Sequence, residues 1–118
     1  MQYNKVEICG VNTTQLTVLS EKEKRELISV IRNGSKKEAK AAREKMINGN
    51  LRLVLSVIQR FVNRGENADD LFQVGVIGLI KAIDNFDLSL DVRFSTYGVP
   101  MVCGELRRYL RDNNAVRV

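Results

Sequence analysis

The sequence predicts an all-α domain, a compact bundle of about five helices that follows an irregular amino-terminal arm. Glycine, serine and asparagine recur at intervals that suit helices of about ten to twenty residues. The one proline, Pro100, leaves little of the turn chemistry that β-hairpins use. In a chain of 118 residues, 44% hydrophobic and 28% charged side chains indicate one domain with a modest core.

The amino-terminal arm, residues 1–19, is rich in β-branched side chains without helical periodicity, so we expect it to be extended or irregular. Ser20 followed by Glu23 is a capping box, in which each side chain satisfies the other residue's free backbone N–H group. The box predicts a first helix over about residues 21–32, which Asn33-Gly34 should end in a left-handed turn.

A second, shorter helix is predicted next, because Ser35 with Glu38 repeats the capping box and Asn48-Gly49 closes the segment. The third helix follows directly, and its apolar side chains recur at the spacing of one helical face. These side chains are Leu51, Val54, Leu55, Ile58, Phe61 and Val62. Arg64-Gly65 should end this helix.

The fourth helix, capped by Asn67 with Asp70, is nearly apolar all round. It must therefore be buried on most sides or offer an apolar face to another protein. Gly75 and Gly78 each cost about 1 kcal/mol relative to alanine inside a helix, so we expect a neighbouring backbone to pack close against them. The apolar side chains are Leu71, Phe72, Val74, Ile77, Leu79, Ile80 and Ile83.

The polar stretch 85–93 should connect this helix to the final one, which Ser95 can cap. Pro100 falls about one turn inside the final helix, where it removes a hydrogen bond and can kink the first turns. The helix should end near Asp112-Asn113-Asn114. Its apolar and aromatic positions are Tyr97, Val99, Val102, Leu106, Tyr109 and Leu110.

Composition argues against catalysis and against cofactor or metal binding. The chain has no histidine, and Cys9 and Cys103 are too far apart for a local metal site or a disulfide framework. Asp84, Asp87 and Asp91 lack the spacing of a calcium loop. Because no leader is recognisable and no apolar run approaches about 20 residues, we expect a cytoplasmic protein with reduced thiols and no membrane contact.

Charge is unevenly distributed along a chain whose net charge is +5. Residues 1–65 carry a net charge of +7, residues 66–91 of −5 and residues 92–118 of +3. The basic excess favours a polyanionic partner, and the separation of signs is expected if different faces meet different partners. A mixed, solvated surface explains the same pattern without any partner.

One group of residues suggests binding of a single-stranded nucleic acid. Arginines attract phosphates, and aromatic faces stack on unpaired bases at about 1–3 kcal/mol each. The group comprises Arg93, Phe94, Tyr97, Arg107, Arg108, Tyr109 and Arg111. The alternative is that the three aromatic residues belong to the core. By spacing, Arg107, Arg108 and Arg111 share one arc of the final helix and form a basic stripe. This stripe is expected even if the aromatic residues belong to the core.

Residues 50–111 resemble the second conserved region of bacterial RNA polymerase sigma factors, with motifs in the same order and spacing. The motifs are Asn50-Leu51-Arg52-Leu53-Val54, Phe61, Arg64-Gly65, Asp70-Leu71-Phe72-Gln73-Val74-Gly75-Val76-Ile77-Gly78-Leu79-Ile80-Lys81-Ala82, Phe86-Asp87 and Arg93-Phe94-Ser95-Thr96-Tyr97. Val99-Pro100-Met101 and the stretch from Gly104 to Asp112 are similar to the sporulation and stress branch of the family. Residues 5–11 resemble the start of the late forespore group in that branch.

The resemblance implies the helical fold of sigma region 1.2 and region 2, and it implies two binding surfaces. Core RNA polymerase would be bound by Asp70, Leu71, Phe72, Gln73, Val76 and Ile80. The non-template single strand of the minus-ten promoter element would be opened and held by Arg93, Phe94, Tyr97, Arg107, Arg108 and Arg111. An anti-sigma factor that competes with core polymerase is a further expected partner, and no cofactor or enzymatic activity is implied.

The resemblance also implies a domain organisation, with the arm at 1–19, the helical domain at 20–114 and the start of a linker at 115–118. Further domains that read the minus-thirty-five element would follow, so the chain is interpreted as an amino-terminal fragment. Val74 stands where most of the family has glutamate, which removes a charge from the polymerase-binding face. Pro100 and Met101 stand where housekeeping members have two tryptophans, so strand opening should be less robust and more promoter-selective.

The alternative function is a helical protein-interaction domain that docks an anti-sigma regulator and has no DNA binding of its own. Salt dependence distinguishes the two functions, because phosphate contacts release counterions and weaken steeply with salt. An apolar docking surface is far less sensitive to salt.

Overall fold

A computed structural model describes residues 7–8, 11–12, 18–62 and 67–117, and in this part of the chain the all-α prediction is confirmed. In the described part of the arm two short strands pair antiparallel, with Glu7 opposite Asn12 and Ile8 opposite Val11. Five helices hold the remaining regular structure. The elements are β1 Glu7–Ile8, β2 Val11–Asn12, α1 Glu21–Asn33, α2 Lys36–Asn48, α3 Leu51–Ile58, α4 Ala68–Asn85 and α5 Phe94–Arg117.

Both predicted capping boxes are present. Ser20 Oγ accepts from the backbone N–H of Glu23 at 3.1 Å, and the Glu23 carboxylate accepts from the N–H of Ser20 at 2.9 Å. Ser35 and Glu38 make the same pair of bonds at the start of α2. Because these bonds span only three residues, the local sequence is sufficient to define both helix starts.

Two details of this region were predicted wrongly. Gly34 does not adopt a left-handed turn but an extended one, with φ −82° and ψ 174°. The reason is that Ser35, the next residue, is already the extended N-cap of α2, so the chain passes from one helix to the other without room for a reversal. The second helix is also not the shorter one, since α1 and α2 each have 13 residues.

The third helix ends earlier than predicted, although its buried face is as expected. After Ile58 the backbone tightens, with N–H groups of Arg60 and Phe61 bonded to carbonyls three residues back. The Phe61 ring is still buried, whereas Val62 is half-buried. The predicted stop at Arg64-Gly65 lies outside the described residues. Of the predicted apolar face, the buried members are Leu51, Val54, Leu55, Ile58 and Phe61.

The fourth helix packs against both α3 and α5, and α3 and α5 also contact each other. Its predicted cap is confirmed, because Asn67 Oδ1 accepts from the N–H groups of Asp69 and Asp70 at 2.7 and 3.3 Å. Close helix packing is confirmed at both glycines, but the close neighbour is a backbone only at Gly78 and a side chain at Gly75. A Cβ atom at Gly75 would lie 2.7 Å from a methyl carbon of Val54, and one at Gly78 would lie 2.8 Å from the Cα atom of Val102.

Alanine should have opposite effects at Gly78 in α4 and Gly104 in α5. At Gly78 the added Cβ meets the backbone of α5, so Gly78→Ala should lower the free energy of unfolding by about 1–3 kcal/mol. At Gly104 nothing lies within 4 Å of the added Cβ, so Gly104→Ala should raise the free energy of unfolding by up to about 1 kcal/mol. Urea unfolding of both variants tests this, and equal effects would contradict the close packing of α4 on α5.

The last helix begins and ends differently from the prediction. Ser95 is not its N-cap, because α5 already starts at Phe94 and the Arg93 carbonyl accepts from the N–H of Thr96 at 3.1 Å. The helix runs on to Arg117, past Asn113-Asn114. Asparagine costs under about 1 kcal/mol of helix stability relative to alanine, and residues 112–117 contain neither glycine nor proline. Pro100 lies inside α5, as predicted.

A tertiary contact replaces the predicted cap of α5. Glu21 of α1 accepts from the N–H of Phe94 at 2.8 Å and from the hydroxyl of Ser95 at 2.7 Å, and Lys24 donates to that hydroxyl at 3.0 Å. Burial alone would raise the pKa of Glu21, but the hydrogen bond from Ser95 and the charge of Lys24 outweigh it, so the pKa is lowered. The ionised carboxylate therefore stabilises the fold near neutral pH, and this stabilisation is lost as the pH falls through the folded-state pKa.

Among the described helices, none combines the length and the apolar character that a membrane crossing requires. The buried core lies mainly between α3, α4 and α5. The connector between α4 and α5, residues 86–93, begins with the fully buried ring of Phe86.

Candidate functional site

The residues predicted to bind polymerase separate into an exposed set and a buried set. Asp70 and Gln73 are exposed on the outer face of α4, and Val76 and Ile80 are half-buried beside them. Leu71 and Phe72 point into the core, with 0% and 5% of their surfaces exposed. These two side chains therefore hold α4 in the bundle and do not lie on its outer face.

Ile77 completes the outer face of α4, although it was not among the predicted docking residues. Its side chain is 49% exposed. It lies four residues after Gln73 and seven after Asp70, and this spacing places the three residues on one side of the helix. That spacing is visible in the sequence. Apolar residues on the other sides of α4 follow similar spacings, however, so spacing alone does not show which side is exposed. We call Asp70, Gln73, Val76, Ile77 and Ile80 the outer face of α4.

Val74 and the pair Pro100-Met101, the two departures from the family pattern, lie on or near the surface. Val74 is half-buried on α4, so a glutamate at this position would have access to solvent. Pro100 is exposed and Met101 is half-buried, both one turn after Tyr97 along α5. Neither departure is enclosed in the core.

The three aromatic residues at the start of α5 and in the connector form one cluster. The Phe86 ring lies 5.5 Å from the rings of both Phe94 and Tyr97, edge-on to the first and tilted to the second. Phe94 has no exposed surface, so this ring belongs to the core and is not open to a base. Tyr97 is half-buried, so its ring is packed on Phe86 and partly open to solvent.

The arginines of the predicted basic stripe are exposed on α5, and acidic neighbours accompany two of them. Arg108 is 3.3 Å from the carboxylate of Glu105, and Arg111 is 3.6 Å from that of Asp112. Glu105 also pairs with Lys81 of α4. Arg107 is exposed, and the described residues offer it no such acidic partner. The fourth predicted arginine, Arg93, is exposed immediately before α5.

A cavity of about 240 Å³ lies where the end of the arm meets α1 and α3, a site that the sequence did not indicate. Asn50 has no exposed surface, and its amide nitrogen donates to the Met46 carbonyl at 2.8 Å. Its amide oxygen has no hydrogen-bond partner among the described residues. The residues around the cavity are Val18, Leu19, Lys24, Gly49, Asn50, Arg52, Leu53 and Ser56.

Two of the three carboxylates around the connector are already engaged within the chain. Asp84 forms an ion pair with Arg43 of α2, and Asp87 accepts from the backbone and hydroxyl of Ser89. In the described ranges no group of three or more histidine, cysteine, aspartate or glutamate side chains is placed to hold a metal ion. Cys103 is a buried free thiol, and Cys9 lies outside the described residues.

Residues 46–116 match the family described as sigma-70 region 2. Over all 118 residues the chain is 73% identical to the RNA polymerase sigma-G factor of Clostridium acetobutylicum and 64% identical to that of Bacillus subtilis, and it spans 44% of the length of each. It is also 64% identical to a putative RNA polymerase sigma-G factor of Bacillus thuringiensis subsp. kurstaki, of which it spans 91%. Sigma-G is the late forespore group that residues 5–11 resemble, so that prediction is confirmed. Because the match covers more than half of its residues, the chain belongs to the sigma-70 region 2 family.

Proposed function

We propose that this chain, in the cytoplasm, binds core RNA polymerase through the outer face of α4 and uses α5 to recognise and melt the minus-ten promoter element. The observation that carries the proposal is the position of Tyr97. Its ring rests on Phe86 but stays partly open, at the start of the helix that carries the exposed arginines. An open aromatic ring beside cations is the arrangement that binds an unpaired base and its phosphates.

The outer face of α4 has the composition of a protein interface. Ile77, with Val76 and Ile80 beside it, forms a small apolar centre, and Asp70 and Gln73 lie toward its amino-terminal end as a polar rim. Interfaces commonly combine an apolar centre with a polar rim of this kind. Leu71 and Phe72 support the face from inside the core, so we assign them a structural role in polymerase binding.

Binding of the non-template strand is assigned to Tyr97, Arg93 and the three arginines of α5. Phe94 supports the strand-binding surface indirectly, because its buried ring packs on Phe86 beneath Tyr97. Stacking on Tyr97 becomes possible only after a base has left the duplex, so this surface favours the melted state of the promoter. No cofactor is needed for this mechanism.

Replacement of the Tyr97 ring should affect single-stranded DNA more than duplex DNA. Tyr97→Ala should weaken binding of the minus-ten non-template strand to the holoenzyme by about tenfold, within the range that loss of one stacked base produces. Tyr97→Phe keeps the aromatic face and should bind nearly normally. Fluorescence anisotropy with single-stranded and duplex oligonucleotides of one sequence measures both affinities. Equal losses on the two DNAs would remove Tyr97 from base recognition.

The arginines of α5 should contribute through phosphate contacts, which salt titration measures directly. Each of Arg107→Ala, Arg108→Ala and Arg111→Ala should reduce the slope of log affinity against log salt by about 0.7 on a single strand. Lys40→Ala serves as the matched control, because Lys40 is an exposed cation on α2 and is not among the α5 arginines. Slopes that equal the native slope in all three variants would exclude these three arginines from the DNA site.

A second function, docking of an anti-sigma regulator without DNA binding, is favoured by the same exposed side chain of Ile77. The two functions differ in one experiment. A pull-down with core RNA polymerase, followed by retention of a labelled minus-ten strand on the captured complex, supports the first function. Absence of capture, together with salt-insensitive binding to a purified anti-sigma factor, supports the second.

A further inference from the structure

Arg25 of α1 holds the connector by its backbone. Its guanidinium group donates to the carbonyl oxygens of Leu88, of Leu90 at 3.1 Å and of Val92 at 2.9 Å. A planar group with five donors in fixed directions is suited to several acceptors that converge on it. The bonds from Ser89 and Leu90 to Asp87 join only residues within the connector, so Arg25 ties this loop to another element of the fold.

The same guanidinium group also contacts the aromatic cluster, at the ring of Phe86. Its central carbon lies 5.6 Å from the centroid of the Phe86 ring, within the range of a cation–π contact. Phe86 is fully buried and touches the ring of Tyr97. Contacts therefore run without interruption from Arg25 through Phe86 to Tyr97.

We propose that Arg25 is a positioning residue for recognition of the single strand. It holds the connector and the Phe86 ring in place, so that the open side of Tyr97 has the orientation that a stacked base requires. The inference rests on the proposed function, because it deepens the role of Tyr97 there. The Arg25 donors are directed at carbonyl groups of its own chain, so its effect on DNA passes through Tyr97 and not through a phosphate contact.

A double-mutant cycle tests this pathway in the holoenzyme. Arg25→Ala should weaken binding of the minus-ten non-template strand by about tenfold, comparable to the loss of one stacked base. In the Tyr97→Ala background the same change should have almost no further effect, because the ring to be positioned is gone. Arg25→Lys should restore binding only in part, since a single ammonium group cannot span the three carbonyls. The salt slope should stay at its native value.

Arg32 of the same helix provides a matched control. It donates to the carbonyl oxygens of Ile83 at 3.1 Å and Asp84 at 3.4 Å, at the end of α4. Arg32→Ala therefore removes the same charge and the same kind of bond, yet it should leave strand affinity unchanged. Hydrogen exchange of the connector amides should accelerate in Arg25→Ala and not in Arg32→Ala.

Additive losses in the double mutant, or a lower salt slope in Arg25→Ala, would overturn the inference, because either result makes Arg25 act on DNA independently of Tyr97. If the native holoenzyme fails to retain the strand, the proposed function fails instead. In that case 3-fluorotyrosine is placed at position 97, and its fluorine resonance tests whether Arg25 influences the Tyr97 ring through Phe86. A shift of that resonance in Arg25→Ala supports the pathway, and an unchanged resonance refutes it.

Discussion

Asp70→Lys should abolish capture of the chain by core RNA polymerase. Asp70 is exposed in the first turn of α4, at the rim of the outer face. A carboxylate at this position is expected to meet a basic group of the partner, so a lysine places like charges together and desolvates both. We expect the affinity for core polymerase to fall by more than about a hundredfold.

Two matched variants separate the interface from general effects of charge and folding. Asp70→Asn removes the charge without reversing it and should weaken capture less. Glu44→Lys makes the same charge reversal at an exposed site on α2 and should leave capture unchanged. Circular dichroism monitors the helix, because a cation near the amino terminus of α4 is unfavourable with the helix dipole. Normal capture of Asp70→Lys with native helicity would show that the outer face of α4 is not the polymerase interface.

Phe94→Ala should lower the free energy of unfolding by about 3–5 kcal/mol, the usual cost of truncating a buried aromatic side chain. The Phe94 ring has no exposed surface and packs on Phe86 at 5.5 Å. Its removal would leave a cavity beside Phe86, the ring on which Tyr97 packs. Loss of strand binding should accompany the loss of stability, because Tyr97 then loses its support.

Phe94→Leu is the conservative comparison for this variant. A leucine refills much of the space, so most of the stability and most of the strand binding should return. Thermal unfolding and strand affinity are measured on both variants at the same temperature. If Phe94→Ala unfolds at the native temperature but binds the strand weakly, the ring is a base contact and its burial in the free chain is not maintained in the complex.

Helix starts were predicted correctly where the determining bonds are local. The capping boxes at Ser20 and Ser35 and the Asn67 cap each join residues two or three positions apart. The start of α5 could not be predicted in this way, because its capping carboxylate is Glu21, which lies 73 residues earlier in the chain. Ser95 has the residue type of a cap, but its hydroxyl is engaged in the contact between α1 and α5.

The candidate site was only partly predictable for a similar reason. The spacing of α4 indicated an apolar helix, but its apolar residues occur on every side, and the positions of α3 and α5 decide that Leu71 is buried and Ile77 exposed. The exposed arginines of α5 followed from spacing alone. The roles of the site residues in binding remain predictions that the variants above test.

The helical class, three of the helix starts, the close packing at Gly75 and Gly78, and the family could all be predicted from the order of residues. These properties depend on hydrogen bonds between residues close in the chain and on residue types with strong conformational preferences. In contrast, the packing of the helices is what makes Phe94 a core residue, leaves Tyr97 partly open and brings Arg25 to the connector. Burial depends on which elements pack together, and the partners of these side chains lie in distant parts of the chain, whose positions no local pattern specifies.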